Sequence, residues 1–319
     1  AWGIVNWLAR PDETLILLTS TTLREARKRI WGSVISLLSV MRGAPFKIRD
    51  SIGNVAYIDE NKSSTKGTLL FIHGYPTWSF LWRHLISNPV TKEYRIVALD
   101  LPGFGKSDKP LEKNFFSFTN YRNILLNFIE NLNIKNITLF LHEWGGTLGL
   151  TLPMEKPSLY KGVACFSSYL GNNYIRIAHS YNNWLEKCAQ TDDLNVRALM
   201  ARTNRILNLS ECNAYESPFP DSSYKLALKE LPKMFPIDDT KDGFNLCRNA
   251  EDWWQKEGIE NTIILGGGKD PLITIDKIKM ISRILTREGF SHVINNAGHF
   301  VPEWGMEFGN ELYEQLGIS

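Results

Sequence analysis

One segment of this 319-residue chain restricts its fold more than any other, because it joins a buried strand to a helix with no spacer between them. Residues 137–141 (ITLFL) form a continuous apolar run, and the five residues HEWGG at 142–146 follow directly. A short strand that is apolar on both faces predicts a parallel sheet covered on both sides. The two glycines let the next helix approach the sheet closely, so we expect Glu143 on a strained turn at the carboxyl end of this strand.

The same alternation of apolar strands and helical segments continues along the chain from residue 46. We predict strands at 55–58, 68–72, 95–99, 137–141, 162–166, 262–265 and 293–294. Between about 169 and 252 the strand signal disappears and the pattern is helical. The sequence therefore predicts an α/β fold, with a mainly parallel sheet and helices on both faces. We assign its core to residues 46–168 and 253–319, and a helical lid to 169–252.

Residues 1–45 differ from this pattern, and we predict that they form an N-terminal helical extension. Residues 22–42 (TLREARKRIWGSVISLLSVMR) predict one helix, basic in its first half and apolar in its second. Its apolar residues cover more than one face, so it could pack across the body of the protein or bind a membrane surface or a protein partner. The sequence contains no apolar run of membrane-spanning length. We expect a protein that is either soluble or peripherally associated with a membrane. Removal of a targeting segment is compatible with both expectations, and the sequence leaves the compartment open.

The composition narrows the range of partners. The formal net charge is only +2, with acids and bases interspersed, so no global field favours nucleic acid. Ten Trp and sixteen Phe indicate an apolar site lined by aromatic side chains, suited to a small apolar substrate. The four cysteines lack metal or redox spacing, and the glycine-rich turn at 100–107 lacks the full spacing of a phosphate loop. We therefore expect neither a metal nor a cofactor.

Three residues with catalytic chemistry follow strands of the predicted sheet. In an open parallel sheet, ligands bind outside the carboxyl ends of the strands. Glu143 follows one strand, Asp270 follows the strand at 262–265, and His299 follows the last strand. In this order a carboxylate would be assisted by His299 as general base, and Asp270 would orient the imidazole and stabilise its charged form.

Two backbone N–H groups are expected beside Glu143. Trp144 offers its N–H at the start of the helix, where amides point towards developing negative charge. Tyr75 lies in the loop after the strand at 68–72, which is placed to supply the second donor. These two amides are the predicted oxyanion hole.

Six motifs resemble those of the haloalkane dehalogenases, a family of the α/β-hydrolase superfamily. They are HGYPTWSFLWR (73–83), DLPGFGKSDKP (100–110), HEWGGTLGLTLPM (142–154), AYESPFPDSSYK (214–225), GGGKDPL (266–272) and NAGHFVPEWG (296–305). The resemblance covers roughly residues 46–319 and keeps the order of the family's motifs. It implies a two-step mechanism, in which a carboxylate displaces halide to form an alkyl ester and water activated by histidine hydrolyses that ester. In one subgroup of the family the catalytic acid follows the later of two strands, and Asp270, after the strand at 262–265, fits that subgroup.

The resemblance also implies two side-chain N–H donors for the leaving halide. One is the Trp after the nucleophile, which is Trp144 here. The other is a lid Trp in this subgroup, and a gapless count back from Tyr215 gives Trp184. An indole N–H only donates, so a pair of them suits an anion. Plain packing within the lid is the alternative for Trp184.

The sequence departs from the family at the nucleophile, which is aspartate there and Glu143 here. One extra methylene lengthens the arm, and a misplacement of about 1 Å can cost about a hundredfold in rate. Three hypotheses follow: Glu143 is still a nucleophile in a reshaped site, it is a general base that directs water, or the fold is catalytically silent and used for binding or assembly.

An epoxide hydrolase is the remaining alternative among enzymes. It would use a similar carboxylate and histidine, with lid tyrosines as acids for the opening oxygen. The tyrosines available by count are Tyr169, Tyr174, Tyr181, Tyr215 and Tyr224. Sequence spacing gives no position to any of them.

Overall fold

The computed structural model describes residues 46–50, 53–171, 179–202, 207–286 and 291–319. The predicted N-terminal extension at 1–45, with its helix at 22–42, lies outside these residues, and so does Tyr174. The described strands form one eight-stranded sheet in the order β1-β2-β4-β3-β5-β6-β7-β8. They are β1 (Phe46–Asp50), β2 (Gly53–Glu60), β3 (Thr68–Ile72), β4 (Arg95–Leu99), β5 (Ile137–His142), β6 (Tyr160–Phe166), β7 (Thr262–Gly267) and β8 (Ser291–Ile294).

The sheet is mainly parallel, as predicted. Strands β3 to β8 pair in parallel, whereas β2 pairs antiparallel with both β1 and β4. We predicted no separate strand at β1, whose sequence FKIRD contains three charged residues and no apolar run. Its partner β2 determines its position, through a register that runs from Phe46 opposite Tyr57 to Asp50 opposite Gly53.

Helices connect the strands. They are α1 (Arg83–Ile86), α2 (Phe118–Asn131), α3 (Trp144–Gly149), α4 (His179–Gln190), α5 (Val196–Met200), α6 (Leu209–Glu216), α7 (Leu226–Glu230), α8 (Phe244–Lys256), α9 (Ile275–Leu285) and α10 (Gly305–Gln315). Within the described residues, only helical elements lie between β6 and β7. The limits of the lid, 169 and 252, stay a prediction, and α8 continues past residue 252. No described helix has the length and apolar character needed to cross a membrane.

The core is centred on the middle strands, because β3 and β5 are buried along their whole length. Phe71 of β3 and Phe140 of β5 stack with their ring centroids 4.5 Å apart. Helix α2 covers one face. It begins after Ser117, whose side chain caps the helix by accepting a hydrogen bond from the N–H of Asn120. These central strands are rigid supports for whatever follows their carboxyl ends.

Two glycines bring α3 against the sheet. A Cβ on Gly145 would lie 2.1 Å from the carbonyl oxygen of Ile72, and one on Gly146 would lie 1.9 Å from Oγ of Ser168. Both distances are far shorter than a van der Waals contact. The predicted need for small residues at this turn is therefore a steric requirement, because Gly145 lets α3 approach β3 and Gly146 lets it approach Ser168, which follows β6.

A buried ion-pair network connects the segment between β6 and β7 to the rest of the fold. Arg83 donates to both carboxylate oxygens of Glu303, at 2.6 and 2.7 Å, and to Oε1 of Glu211 at 2.9 Å. Tyr215 also donates to Glu303. His84, Glu211 and Glu303 are grouped as metal ligands could be, but the Arg83 guanidinium already lies on both carboxylates. The group is thus a structural cluster that connects α1, α6 and the turn at Val301–Trp304.

We expect Arg83→Ala to lower the free energy of unfolding by about 3–5 kcal/mol, because it leaves two buried carboxylates without their cation. Urea denaturation of the full chain measures the change. Lys66→Ala is the matched control, since the Lys66–Glu93 pair is exposed and should leave the midpoint unchanged. Equal effects of the two substitutions would contradict a structural role for the buried cluster.

Candidate active site

Glu143 occupies the turn between β5 and α3 in a strained conformation. Its backbone angles are φ 47° and ψ −114°, a region that residues other than glycine rarely adopt. Such a conformation costs on the order of 1–3 kcal/mol and persists only where the surroundings enforce it. Ser168 contributes by donating from Oγ to the Glu143 carbonyl oxygen at 2.6 Å. The strain directs the side chain out of the sheet at the carboxyl end of β5.

The Glu143 carboxylate is held by three hydrogen bonds. Its Oε2 accepts from the N–H of Tyr75 at 2.8 Å and from the N–H of Trp144 at 2.5 Å. Its Oε1 accepts from the Tyr181 hydroxyl at 2.6 Å. The two amides predicted as an oxyanion hole therefore meet, and they meet on one oxygen of Glu143 itself. With only 3% of the residue exposed, these donors replace most of the water that a carboxylate needs.

Tyr181 belongs to α4, which lies over the turn. Trp184 follows one turn later, with its ring against the Tyr75 ring at 6.3 Å between centroids. The Tyr75 hydroxyl donates to the carbonyl oxygen of Leu228 at 3.0 Å, and the Cys188 thiol lies beside it. These three residues of α4 form a stripe with the spacing i, i+3, i+7, which is the helical face directed at the sheet. This spacing could have identified Tyr181 as a site residue from the sequence, where it is otherwise one of five tyrosines that spacing alone does not distinguish.

Asp270 and His299 form a second hydrogen-bonded pair. His299 Nδ1 lies 3.0 Å from Asp270 Oδ2, and Asp270 Oδ1 accepts from the N–H groups of Leu272 and Ile273 at 2.8 and 3.0 Å. The His142 ring holds the loop through its Nε2, which lies 3.0 Å from the His299 carbonyl oxygen. Asp270 is thus fixed by backbone donors and can orient the imidazole.

Electrostatics couples this pair to Glu143. Burial raises the pKa of Glu143, although the charge of His299 and the three hydrogen-bond donors oppose this effect. Burial acts to lower the pKa of His299, but Asp270, followed by Glu143, outweighs it and the pKa is raised. Burial would raise the pKa of Asp270, yet His299 and the backbone donors keep it below its usual value. Glu143, Asp270 and His299 thus converge as predicted, with a cation favoured between two carboxylates.

Aromatic side chains cover the remaining side of Glu143. Trp144 is fully buried, and its Nε1 has no hydrogen-bond partner within the part of the chain that the structure describes. Phe235 contacts both Trp144 and Tyr181 in edge-to-face geometry, at 5.5 Å between centroids in each case. An apolar wall with one unused N–H donor suits a small apolar molecule that carries an acceptor or an anion.

Trp184 is the predicted site residue for which the structure shows no hydrogen bond to Glu143. It is half-buried with its ring against that of Tyr75, and none of the hydrogen bonds or ring contacts among the described residues joins it to Glu143 or Trp144. The gapless count that selected it could not detect that Tyr181, three residues earlier, reaches the carboxylate. Its role as a halide donor stays a prediction.

Comparisons with known proteins agree with the architecture. Residues 67–306 match the family described as alpha/beta hydrolase fold. The chain is 30% identical over 259 residues to a haloalkane dehalogenase of Psychrobacter cryohalolentis, covering 80% of this chain and 84% of that protein. It is 28% identical to one of Mycolicibacterium paratuberculosis, covering 82% and 85%. Among solved structures, the tetrameric haloalkane dehalogenase DpaA from Paraglaciecola agarilytica superposes with a TM-score of 0.80 and 32% identity, covering 89% of this chain and 95% of that one.

The raised pKa of Glu143 predicts a pH-dependent stability difference. Because folding favours its neutral form, the contribution is fully present below the ordinary pKa of 4.5 and is lost as the pH rises through the higher folded value. Glu143→Gln removes this loss, so its melting temperature should rise relative to that of the unchanged protein as the pH increases from 4.5 to 8. Thermal denaturation across this range measures the difference, with the exposed Glu112→Gln as control. A difference independent of pH would contradict the coupling.

Proposed function

The chain belongs to the haloalkane dehalogenase family of the α/β-hydrolases, and from this premise we propose that it hydrolyses small haloalkanes with Glu143 as the nucleophile. The observation that carries the proposal is the unequal binding of the two Glu143 oxygens. Two backbone amides hold Oε2, so Oε1 is the oxygen that faces a substrate. This division suits a carboxylate that becomes an ester, because the ester carbonyl oxygen then already lies in the oxyanion hole.

In the first step, Oε1 attacks the carbon that carries the halogen. A C–O bond forms as the C–X bond breaks, and the halide leaves with the bonding electrons. The unused indole N–H of Trp144 is the donor proposed for the departing halide, and Trp184 is the proposed second donor. Burial favours this step because it removes water that would otherwise solvate the attacking oxygen.

In the second step, His299 takes a proton from water, and the resulting hydroxide attacks the carboxyl carbon of the ester. The negative charge develops on Oε2 between the amides of Tyr75 and Trp144. Asp270 stabilises the imidazolium, which its contact with Nδ1 supports. Collapse of the intermediate releases the alcohol together with Oε1, and the oxygen of water remains on Glu143.

The position of the longer glutamate side chain supports the hypothesis that the site is reshaped around Glu143, and not that the carboxylate is misplaced. The side chain folds back so that Oε2 reaches the N–H of the very next residue, Trp144, while it also reaches Tyr75. The general-base alternative needs no such fixed oxygen. It makes a different prediction for isotopes, because direct attack by water places the new oxygen in the product and never in Glu143.

One observation favours a catalytically silent fold as the second candidate. Oε1 also accepts a hydrogen bond, from Tyr181, so both carboxylate oxygens are engaged before any substrate arrives.

The Tyr181 hydroxyl is also the observation in favour of epoxide opening, since a phenol can donate a proton to the opening oxygen. An assay panel of haloalkanes with one short epoxide therefore separates the three functions.

If the site is built around glutamate, Glu143→Asp should lower halide release from short bromoalkanes by about a hundredfold, because the shorter arm withdraws Oε1 from the carbon. Steady-state halide release measures the effect, with Glu143→Gln as the inactive control. Faster release by Glu143→Asp would instead show that length is the defect. Absence of halide release from every form would favour the silent fold.

A single turnover in water enriched in ¹⁸O identifies the mechanism in the same samples. The ester route places ¹⁸O in Glu143, detectable by mass spectrometry of the peptide, and leaves the first alcohol unlabelled. The general-base route reverses this distribution.

Halide binding tests the two proposed indole donors. Removal of a hydrogen bond to a charged partner costs about 1.5–3 kcal/mol, so Trp144→Phe should raise the Kd for bromide about tenfold to a hundredfold. Quenching of tryptophan fluorescence by bromide measures this Kd. If Trp184 is the second donor, Trp184→Phe should raise the Kd by a similar factor. An unchanged Kd in either variant would remove that residue from the halide site.

A further inference from the structure

We propose that Tyr181 is a catalytic acid of the second step, which protonates the alcohol as it leaves Glu143. The inference rests on the proposed ester mechanism and assigns a residue that the mechanism did not use. It starts from one contact, the 2.6 Å hydrogen bond from the Tyr181 hydroxyl to Oε1 of Glu143. Tyr181 is buried, with 1% of its surface exposed, so water does not compete for this bond.

The contact is significant because Oε1 is the oxygen that changes partners. With Oε2 held by two amides, Oε1 becomes the bridging oxygen of the alkyl ester. When the tetrahedral intermediate collapses, the bond between the carboxyl carbon and Oε1 breaks. The alcohol would then leave as an alkoxide, a strong base that is costly in an apolar pocket without a proton. The Tyr181 O–H already lies at the atom that needs this proton.

Tyr181 is the side-chain donor that the structure places on Oε1. The His299 imidazolium, which holds the proton of the attacking water, is the competing acid, but its Nδ1 is engaged by Asp270 and none of the hydrogen bonds among the described residues joins it to Oε1. Ser168 donates to the backbone oxygen of Glu143, not to its side chain. Burial, followed by the Glu143 charge, raises the pKa of Tyr181 well above its usual value, so the hydroxyl carries its proton at neutral pH.

The protons balance. Tyr181 gives its proton to Oε1, and the product leaves as a neutral alcohol. Glu143 is left as a carboxylic acid whose new O–H, from water, occupies the former position of Oε1 beside the Tyr181 phenolate. It returns a proton to Tyr181 and becomes a carboxylate again, while the His299 imidazolium releases its proton to solvent. The cycle thus consumes one water and yields alcohol, halide and one proton.

This role predicts opposite effects on the two steps. The hydrogen bond from Tyr181 stabilises the charge on Oε1 and so makes it a weaker nucleophile, which means that its removal should leave ester formation unchanged or faster. Loss of the proton donor should slow ester hydrolysis by about 10²–10⁴-fold. A residue that only supported the position of α4 would slow both steps or neither.

The test is a single-turnover experiment on the full chain with 1-bromobutane, followed by rapid quenching and intact-mass spectrometry. In Tyr181→Phe the butyl ester on Glu143 should accumulate almost stoichiometrically, with bromide released at least as fast as from the unchanged protein. Tyr313→Phe is the matched control. It removes a buried tyrosine hydroxyl that donates to the carbonyl oxygen of Leu85, and it should leave both rates unchanged.

The outcomes separate the two proposals. If ester forms in all forms except Glu143→Gln but is hydrolysed equally fast in Tyr181→Phe, the role of Tyr181 is wrong and the proposed function stands. If no form yields ester or bromide, the proposed function fails and the role of Tyr181 fails with it. Should Tyr181→Phe not fold, as judged by circular dichroism, Tyr181→3,5-difluorotyrosine keeps the shape but lowers the phenol pKa. Its ester hydrolysis should decline at lower pH than that of the unchanged protein, and an identical pH profile would overturn the assignment.

Discussion

Two backbone N–H groups on one carboxylate oxygen are the interaction on which the site depends. Tyr75 follows β3 and Trp144 follows β5, and these strands are neighbours in the sheet. Their parallel pairing brings both amides to the same edge, where the strained backbone of Glu143 directs its side chain at them. A buried carboxylate is costly unless it is compensated, and these two donors act together with the charge of His299 and the hydroxyl of Tyr181. Burial still dominates, because the Glu143 pKa remains raised despite them.

The helical segment between β6 and β7 completes the site with a third donor. Helix α4 presents Tyr181, Trp184 and Cys188 on one face, and each contacts either Glu143 or Tyr75. Movement of α4 would therefore disturb Glu143 and Tyr75 together. The glutamate arm is long enough to reach its own neighbouring amide and α4 at once. Glu143 and the Tyr181 hydroxyl above it therefore form one arrangement.

The buried Arg83 cluster positions the site from the opposite side. Glu303 lies four residues after His299, and Arg83 ties it to Glu211 and so to α6. The loop that carries His299 is thus held between the His142 ring and this ion-pair cluster. A buried ion pair is weak evidence for stability by itself, but one that connects three separate elements restricts how they can pack. Arg83, Tyr215 and Glu303 belong to three separate sequence motifs, and their side chains meet in this one cluster.

Much of the fold and the convergence of three site residues could be predicted from sequence alone. Apolar runs determined the central strands, and parallel strands end at one edge, so Glu143, Asp270 and His299 had to meet there. The sequence did not identify β1, since a charged edge strand depends on its partner for its position. Nor did it select Tyr181 over Trp184, because the rotation of α4 about its axis is set by packing against Tyr75 and Phe235. Only the tertiary structure decided which donor reaches each oxygen of Glu143, since a hydrogen bond requires placement within a few tenths of an ångström, and residue spacing does not specify distances that small.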